Sequence, residues 1–194
     1  MELIGDTFSS KIYRVCDEDG NCNFAMKHTK QAHRNEINIQ NIMAKHGLAP
    51  RIFQVIEGDR DFGIIMESLD KSLDTLLIQE LTDPSEDVVD KVILLIGQGV
   101  ALLDSIHALG YSHNDAHTGN FMQDENERMY MIDFEFSDKN VDESNDIIAF
   151  IEDVLSSVME MLPEIIDPLK TELGKIYGDE LMARFRSFRR FLDP

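Results

Sequence analysis

The sequence is poor in positive charge. Its 194 residues carry 18 lysines and arginines against 37 aspartates and glutamates, a formal net charge of −19. Like charges repel at long range, so direct nucleic-acid binding and attachment to an anionic membrane are excluded, and a basic partner is expected. Long apolar runs are also missing. Hydrophobic residues make up 43% of the chain but sit in short periodic groups, none near the roughly 18 to 20 residues that cross a bilayer. Residues 1–5, Met-Glu-Leu-Ile-Gly, have neither the basic start nor the apolar core of a signal peptide. A soluble, cytoplasmic protein is therefore expected. Cysteine is scarce: only Cys16 and Cys22 occur, flanking the turn signal Asp19-Gly20-Asn21. A disulfide across that hairpin is geometrically conceivable, but one pair makes no framework, and free thiols are the expectation. Repeats, low-complexity segments and long linkers are absent too, and the length fits one domain of ordinary size or two closely packed lobes.

What is present falls into two halves. Lys11 to Val15 and Cys22 to His28 alternate with period two around the Asp17 to Asn21 turn and follow a first strand. Between Gln31 and His46, Ile39, Ile42 and Met43 recur at helical spacing, with Gly47 and Pro50 as stop signals. Arg51 to Glu57 and Phe62 to Met66 add two strands around Gly58-Asp59-Arg60-Asp61. From about residue 84 the pattern turns helical. Asp83 as N-cap, Pro84 at the first helical position and Glu86 predict a long helix through Val89, Val92, Ile96, Leu103 and Ile106, ending at Gly110. A short strand-rich section, Tyr111 to Phe136, precedes a helix from about Asn145 to Met161. In the tail, Arg184, Arg186, Arg189 and Arg190 interleave with Leu181, Phe185, Phe188 and Leu192 at helical spacing, predicting a terminal helix with an apolar stripe. The organisation is α+β: a mostly antiparallel sheet lobe followed by a mostly helical one.

The chemistry concentrates in 111–133. Asp115 stands five positions before Asn120, and Asp133 thirteen after it. Phosphoryl transfer from ATP needs these parts: a carboxylate that takes a proton from the attacking hydroxyl, and hard oxygen ligands for Mg2+ on the phosphates. With His113-Asn114-Asp115 and Met131-Ile132-Asp133-Phe134 in this register, the chain resembles the protein-kinase-like superfamily. Upstream residues agree. Phe24-Ala25-Met26-Lys27 is similar to the V-A-I-K strand, and period two puts Ala25 and Lys27 on one face. Ile12 lies fifteen residues before Lys27, where the family covers the adenine.

The resemblance implies a bilobal fold: an N-lobe over 1–66 with a five-stranded antiparallel sheet and one helix, a hinge at 67–70, and a reduced, mainly helical C-lobe over 71–194. It implies ATP and Mg2+ as cofactors. Asp115, Lys27 and Glu36 would be catalytic, Glu36 as ion-pair partner of Lys27, with Asn120 and Asp133 as metal ligands. Gly5, Thr7, Ser10, Ile12, Ala25, Lys27, Met66, Glu67, Leu69, Asn120 and Asp133 would bind nucleotide. The register of the glycine-rich loop, Gly5-Asp6-Thr7-Phe8-Ser9-Ser10, keeps only its first glycine, so backbone approach to phosphate is less close than glycine would permit.

Two departures narrow the reading. His-Asn-Asp and Ile-Asp-Phe-Glu-Phe-Ser resemble choline kinases, and His-x-Asp-x-His-x-Gly-Asn resembles aminoglycoside phosphotransferases, where His117 could contact phosphate or a metal, or steady the loop by hydrogen bonding. Asp146 lies only thirteen positions after Asp133 with no A-P-E tripeptide between, so the activation segment, with its phosphorylation switch and peptide platform, is almost absent. That shortness is similar to the minimal kinase of the KEOPS complex and to RIO kinases. The expectation is a minimal atypical Ser/Thr protein kinase acting on a protein partner, autophosphorylating or ATPase-like. A small-molecule kinase for a cationic acceptor and a catalytically inert binding module are the alternatives.

Overall fold

The computed structural model describes residues 1–6, 10–30, 34–58, 61–139 and 143–188, with 143–144 and 179–188 as backbone alone. The chain divides into two compact units. Unit 1 comprises Met1–Lys71 and Met122–Asp138; unit 2 comprises Ser72–Phe121 and the segment from Lys139 onward.

Unit 1 is built on a five-stranded antiparallel sheet: β1 (Glu2–Asp6), β2 (Ser10–Val15), β3 (Phe24–Thr29), β4 (Ile52–Glu57) and β5 (Phe62–Glu67), in the order β1-β2-β3-β5-β4. Register decides which residues share a face. Ile12 pairs with Gly5 and Lys27, Ala25 with Met66, and Lys27 with Ile64. Opposed residues point the same way and side chains alternate with period two, so these six lie on one face. Helix α1 (Arg34–Lys45) supplies the apolar cover, burying Ile39 and Met43. Its Gln40 amide donates to the Pro50 carbonyl at 3.0 Å and approaches the Met66 sulfur at 3.7 Å.

The strand β6 (Lys71–Ser72), with β7 (Phe121–Gln123) and β8 (Met129–Met131), forms a second, three-stranded sheet. The Met131 amide donates to the Leu48 carbonyl at 2.8 Å, which fixes the strand leading into Asp133 just beyond the end of α1.

One expectation is corrected in the β2–β3 hairpin: Cys16 and Cys22 are joined as a disulfide, Cα atoms 3.8 Å apart. The reason is local. The Asp17 carboxylate accepts from the Asp19 and Asn21 amides at 3.0 and 2.8 Å, folding the turn so tightly that the flanking residues meet.

Unit 2 is helical: α2 (Leu73–Thr82), α3 (Val88–Ala108), α4 (Glu143–Met161) and α5 (Ile166–Phe188, interrupted at Gly178, φ 79°). The sequence reading missed α2 and started α3 too early. Ser72 caps α2 by accepting from the Thr75 amide at 3.2 Å, and Leu73, Leu77 and Leu81 form its buried stripe. Asp83 ends this helix rather than opening the next, its amide reaching back to the Gln79 carbonyl, and Pro84 with Ser85 occupies the connection. The terminal stripe expected around the tail arginines lies outside the residues whose side chains are described.

The core of unit 2 centres on α3, with Val92, Ile96, Leu103 and Ile106 buried against Phe150, Ile151, Val154 and Val158 of α4 and Leu169 and Leu173 of α5. At Gly99, α3 lies hard against α4: a Cβ there would lie 2.3 Å from the Phe150 ring. That ring is fully buried and stacks on Phe121 at 4.3 Å, so it cannot retreat. Gly99→Val is expected to destabilise the protein by about 1–3 kcal/mol, read as a lower midpoint in urea unfolding. Among the described residues, no helix is long and apolar enough to cross a membrane.

Candidate active site

Within unit 1, residues from three separate elements converge. Lys27 on β3 donates to the Glu36 carboxylate on α1 at 2.6 Å and to Asp133 Oδ1 at 2.8 Å. The Lys27 and Glu36 side chains are buried, whereas Asp133 is 38% exposed. Burial opposes charge on Lys27, but the carboxylates of Glu36 and Asp133 outweigh it and hold the ammonium above its ordinary range. Burial raises Glu36, and the charges of Asp133 and Glu135 add to it, more than Lys27 offsets. The two directions agree physically: one cation is shared by two carboxylates, with a third nearby.

Asp133 has a left-handed backbone, φ 63°, a conformation that an aspartate tolerates better than most residues. It turns the chain out of β8 into the 134–136 turn, where Phe134 is fully buried. That turn packs on α1, and Asn35 of α1 donates to the Ser137 carbonyl at 3.1 Å. Both ends of the Lys27–Asp133 contact are thus anchored to the helix that carries Glu36.

The other candidate nucleotide residues of unit 1 take definite places. Gly5, Ile12, Ala25 and Met66 share the sheet face of Lys27. Ser10 opens β2 and is buried, and Thr7 lies outside the described residues. In the stretch expected to be the hinge, the Glu67 amide donates to Arg51 O at 2.9 Å and the Ser68 amide to Asn23 O at 3.1 Å, so both are engaged within the unit. Leu69 follows them, half-buried, just before β6.

Within unit 2, the segment 111–120 follows the Gly110 cap of α3, where the Gly110 amide returns to the His107 carbonyl at 2.8 Å. Its shape is imposed by two carboxylates of α4. Asp146, buried, accepts from His107 Nε2 at 2.9 Å, from the His113 amide at 2.7 Å and from the Asn114 amide at 2.8 Å. Burial pushes this carboxyl up, but the three hydrogen bonds prevail and hold it below its ordinary value. Asp153 accepts from both the amide and the hydroxyl of Thr118, each at 2.7 Å. The sequence reading took Asp146 as the start of a helix and gave Asp153 no role. The available signal was their spacing of seven, two helical turns on one face of α4.

The loop so held presents Asp115, half-buried. The Asn120 side-chain amide donates to the Asp115 carbonyl at 2.9 Å and to its Oδ2 at 3.1 Å. With its NH2 spent on Asp115, Asn120 has its carbonyl oxygen left to offer. The donors proposed for Mg2+, this oxygen and the Asp133 carboxylate, are the hard oxygen type that ion takes. Among the described residues no group of three or more His, Cys, Asp or Glu is gathered as a metal cage. Beside Asp115 and His117 opens a cavity of about 540 Å3, walled by Asp146, Ala149, Glu152 and Asp153 of α4. Burial raises the Glu152 carboxyl.

A family model of the protein kinase domain matches residues 1–176. The chain belongs to the protein kinase domain family, and its α+β architecture with a five-stranded antiparallel sheet is that of a bilobal kinase. Serine/threonine-protein kinase SKS1 of Saccharomyces cerevisiae is similar to it, 31% identical over 108 residues, which is 56% of this chain. The chain spans only 21% of the length of that yeast protein.

Proposed function

We propose that this chain is an ATP- and Mg2+-dependent phosphotransferase, a minimal atypical Ser/Thr protein kinase whose acceptor is a hydroxyl on a basic protein or on itself. The observation that carries the reading is the double contact of Lys27 with Glu36 and with Asp133, the latter 106 positions away in sequence. A buried ammonium held on the middle strand of a sheet and bonded to a partly exposed carboxylate is suited to neutralise phosphate oxygens. In this reading Lys27 takes the α- and β-phosphates, with Glu36 fixing its position. Asn120 and Asp133 hold Mg2+, which when bound supplies charge neutralisation on the phosphates. Asp115 accepts the proton of the acceptor hydroxyl as that oxygen bonds the γ-phosphorus and ADP leaves. The printed name of the yeast relative supports a Ser/Thr acceptor, and the net charge of −19 supports a basic one.

A second reading, a small-molecule kinase for an amine or amino alcohol, is favoured by the carboxylate-lined cavity beside Asp115. One experiment separates them: incubation with γ-labelled ATP, alone, with basic test proteins and with a panel of amino alcohols. Mg2+-dependent label on serine or threonine of a protein is the expected result. Label on a metabolite alone would favour the second reading. No transfer, together with no thermal shift in millimolar Mg-ATP, would overturn both and leave an inert module.

A further inference from the structure

The cluster formed by Asp115, His117 and Gly119 carries an inference beyond the roles assigned so far. His117 Nδ1 lies 3.1 Å from the Gly119 backbone amide, which can only donate, so Nδ1 must be the acceptor. The ring proton therefore belongs on Nε2, and Nε2 faces Asp115 Oδ2 at 3.7 Å. That separation exceeds a hydrogen bond, and catalytic contacts of this kind commonly tighten only when substrate is bound. The same Oδ2 already accepts from Asn120 at 3.1 Å. Asn120 holds this oxygen while the His117 ring faces it from 3.7 Å, which leaves Oδ1 as the atom that meets the acceptor.

Gly119 makes the arrangement possible in a second way. A Cβ at that position would sit 2.9 Å from His117 Cε1 and 3.1 Å from Nδ1. A side chain at 119 would displace the imidazole from this position. The glycine thus sets both the tautomer, through its amide, and the ring position, through its missing side chain.

We infer that His117 is a positioning residue, a neutral imidazole locked by Gly119 as the Nε2–H tautomer, that orients Asp115 for proton transfer from the acceptor. The inference rests on Asp115 being the base, as proposed above.

The test compares His117→Ala, His117→Gln, Gly119→Ala and Asp115→Asn in phosphotransfer, with thermal melts as a check on folding. His117→Ala is expected to lower kcat by about 10- to 100-fold, since a small misplacement of a reacting group has that cost, while KM for ATP stays unchanged. Glutamine can accept from Gly119 and donate to Asp115, so His117→Gln should recover most of the loss. Gly119→Ala should reproduce the loss with the imidazole still present. In the unmodified protein, the 15N shifts of His117 should report a protonated Nε2 and a bare Nδ1. An inactive Asp115→Asn beside a His117→Ala variant of normal kcat would overturn this inference alone, as would a protonated Nδ1. Full activity of Asp115→Asn would instead overturn the reading on which it rests.

Discussion

Asp133→Asn is expected to abolish Mg2+-dependent phosphoryl transfer, lowering kcat by about a thousandfold or more, with little change in melting temperature. The substitution keeps the size of the side chain and its tolerance of the left-handed backbone at φ 63°. What it removes is one negative charge and one oxygen with affinity for a hard cation. Lys27 keeps its 2.6 Å contact with Glu36, so the sheet and α1 remain joined. The loss therefore falls on catalysis rather than folding. Steady-state assays over a range of Mg2+ concentrations, beside a thermal melt, measure it. Turnover that matches the unmodified protein would remove Asp133 from the proposed machinery.

Asp146→Ala is expected to cost stability instead, by about 3–5 kcal/mol, the scale of breaking a buried, hydrogen-bonded charge. The carboxylate satisfies two backbone amides and His107 Nε2 at once, and alanine would take this acceptor from all three donors, of which His107 and His113 are buried. The pH dependence follows from the direction of the shift. Because the folded Asp146 carboxyl is held below its ordinary value, its contribution is complete above the unfolded pKa of about 4. It is lost as pH falls through the lower folded value. Denaturant unfolding between about pH 6 and pH 2 should show a steeper acid decline for the unmodified protein than for Asp146→Ala. Parallel declines would show that this carboxylate contributes no such term.

What could be read from the sequence was mostly what local pattern encodes. Period two placed Ala25 and Lys27 on one strand face, and the observed register adds Ile12 and Met66 to it. Turn and helix signals bounded α1 and α4 to within a few residues. The failures came where one residue type serves two ends. An aspartate followed by proline reads as a helix start, yet Asp83 closes α2, because Leu73, Leu77 and Leu81 had already committed the preceding stretch to the core. Asp146 and Asp153 escaped for another reason. Their partners lie 32 to 35 positions away or more, and no local rule links a helix carboxylate to amides that far upstream. The Cys16–Cys22 bond likewise depended on how tightly Asp17 gathers its turn, which composition does not reveal.

The attachment of residues 113, 114 and 118 to a single helix has a dynamic consequence. The segment bearing Asp115 is tied on both sides to α4, through Asp146 and Asp153, so its opening is coupled to the first three turns of that helix. Anything that stiffens or frays that helical end sets the lifetime of the competent loop, even from a position that never meets a substrate.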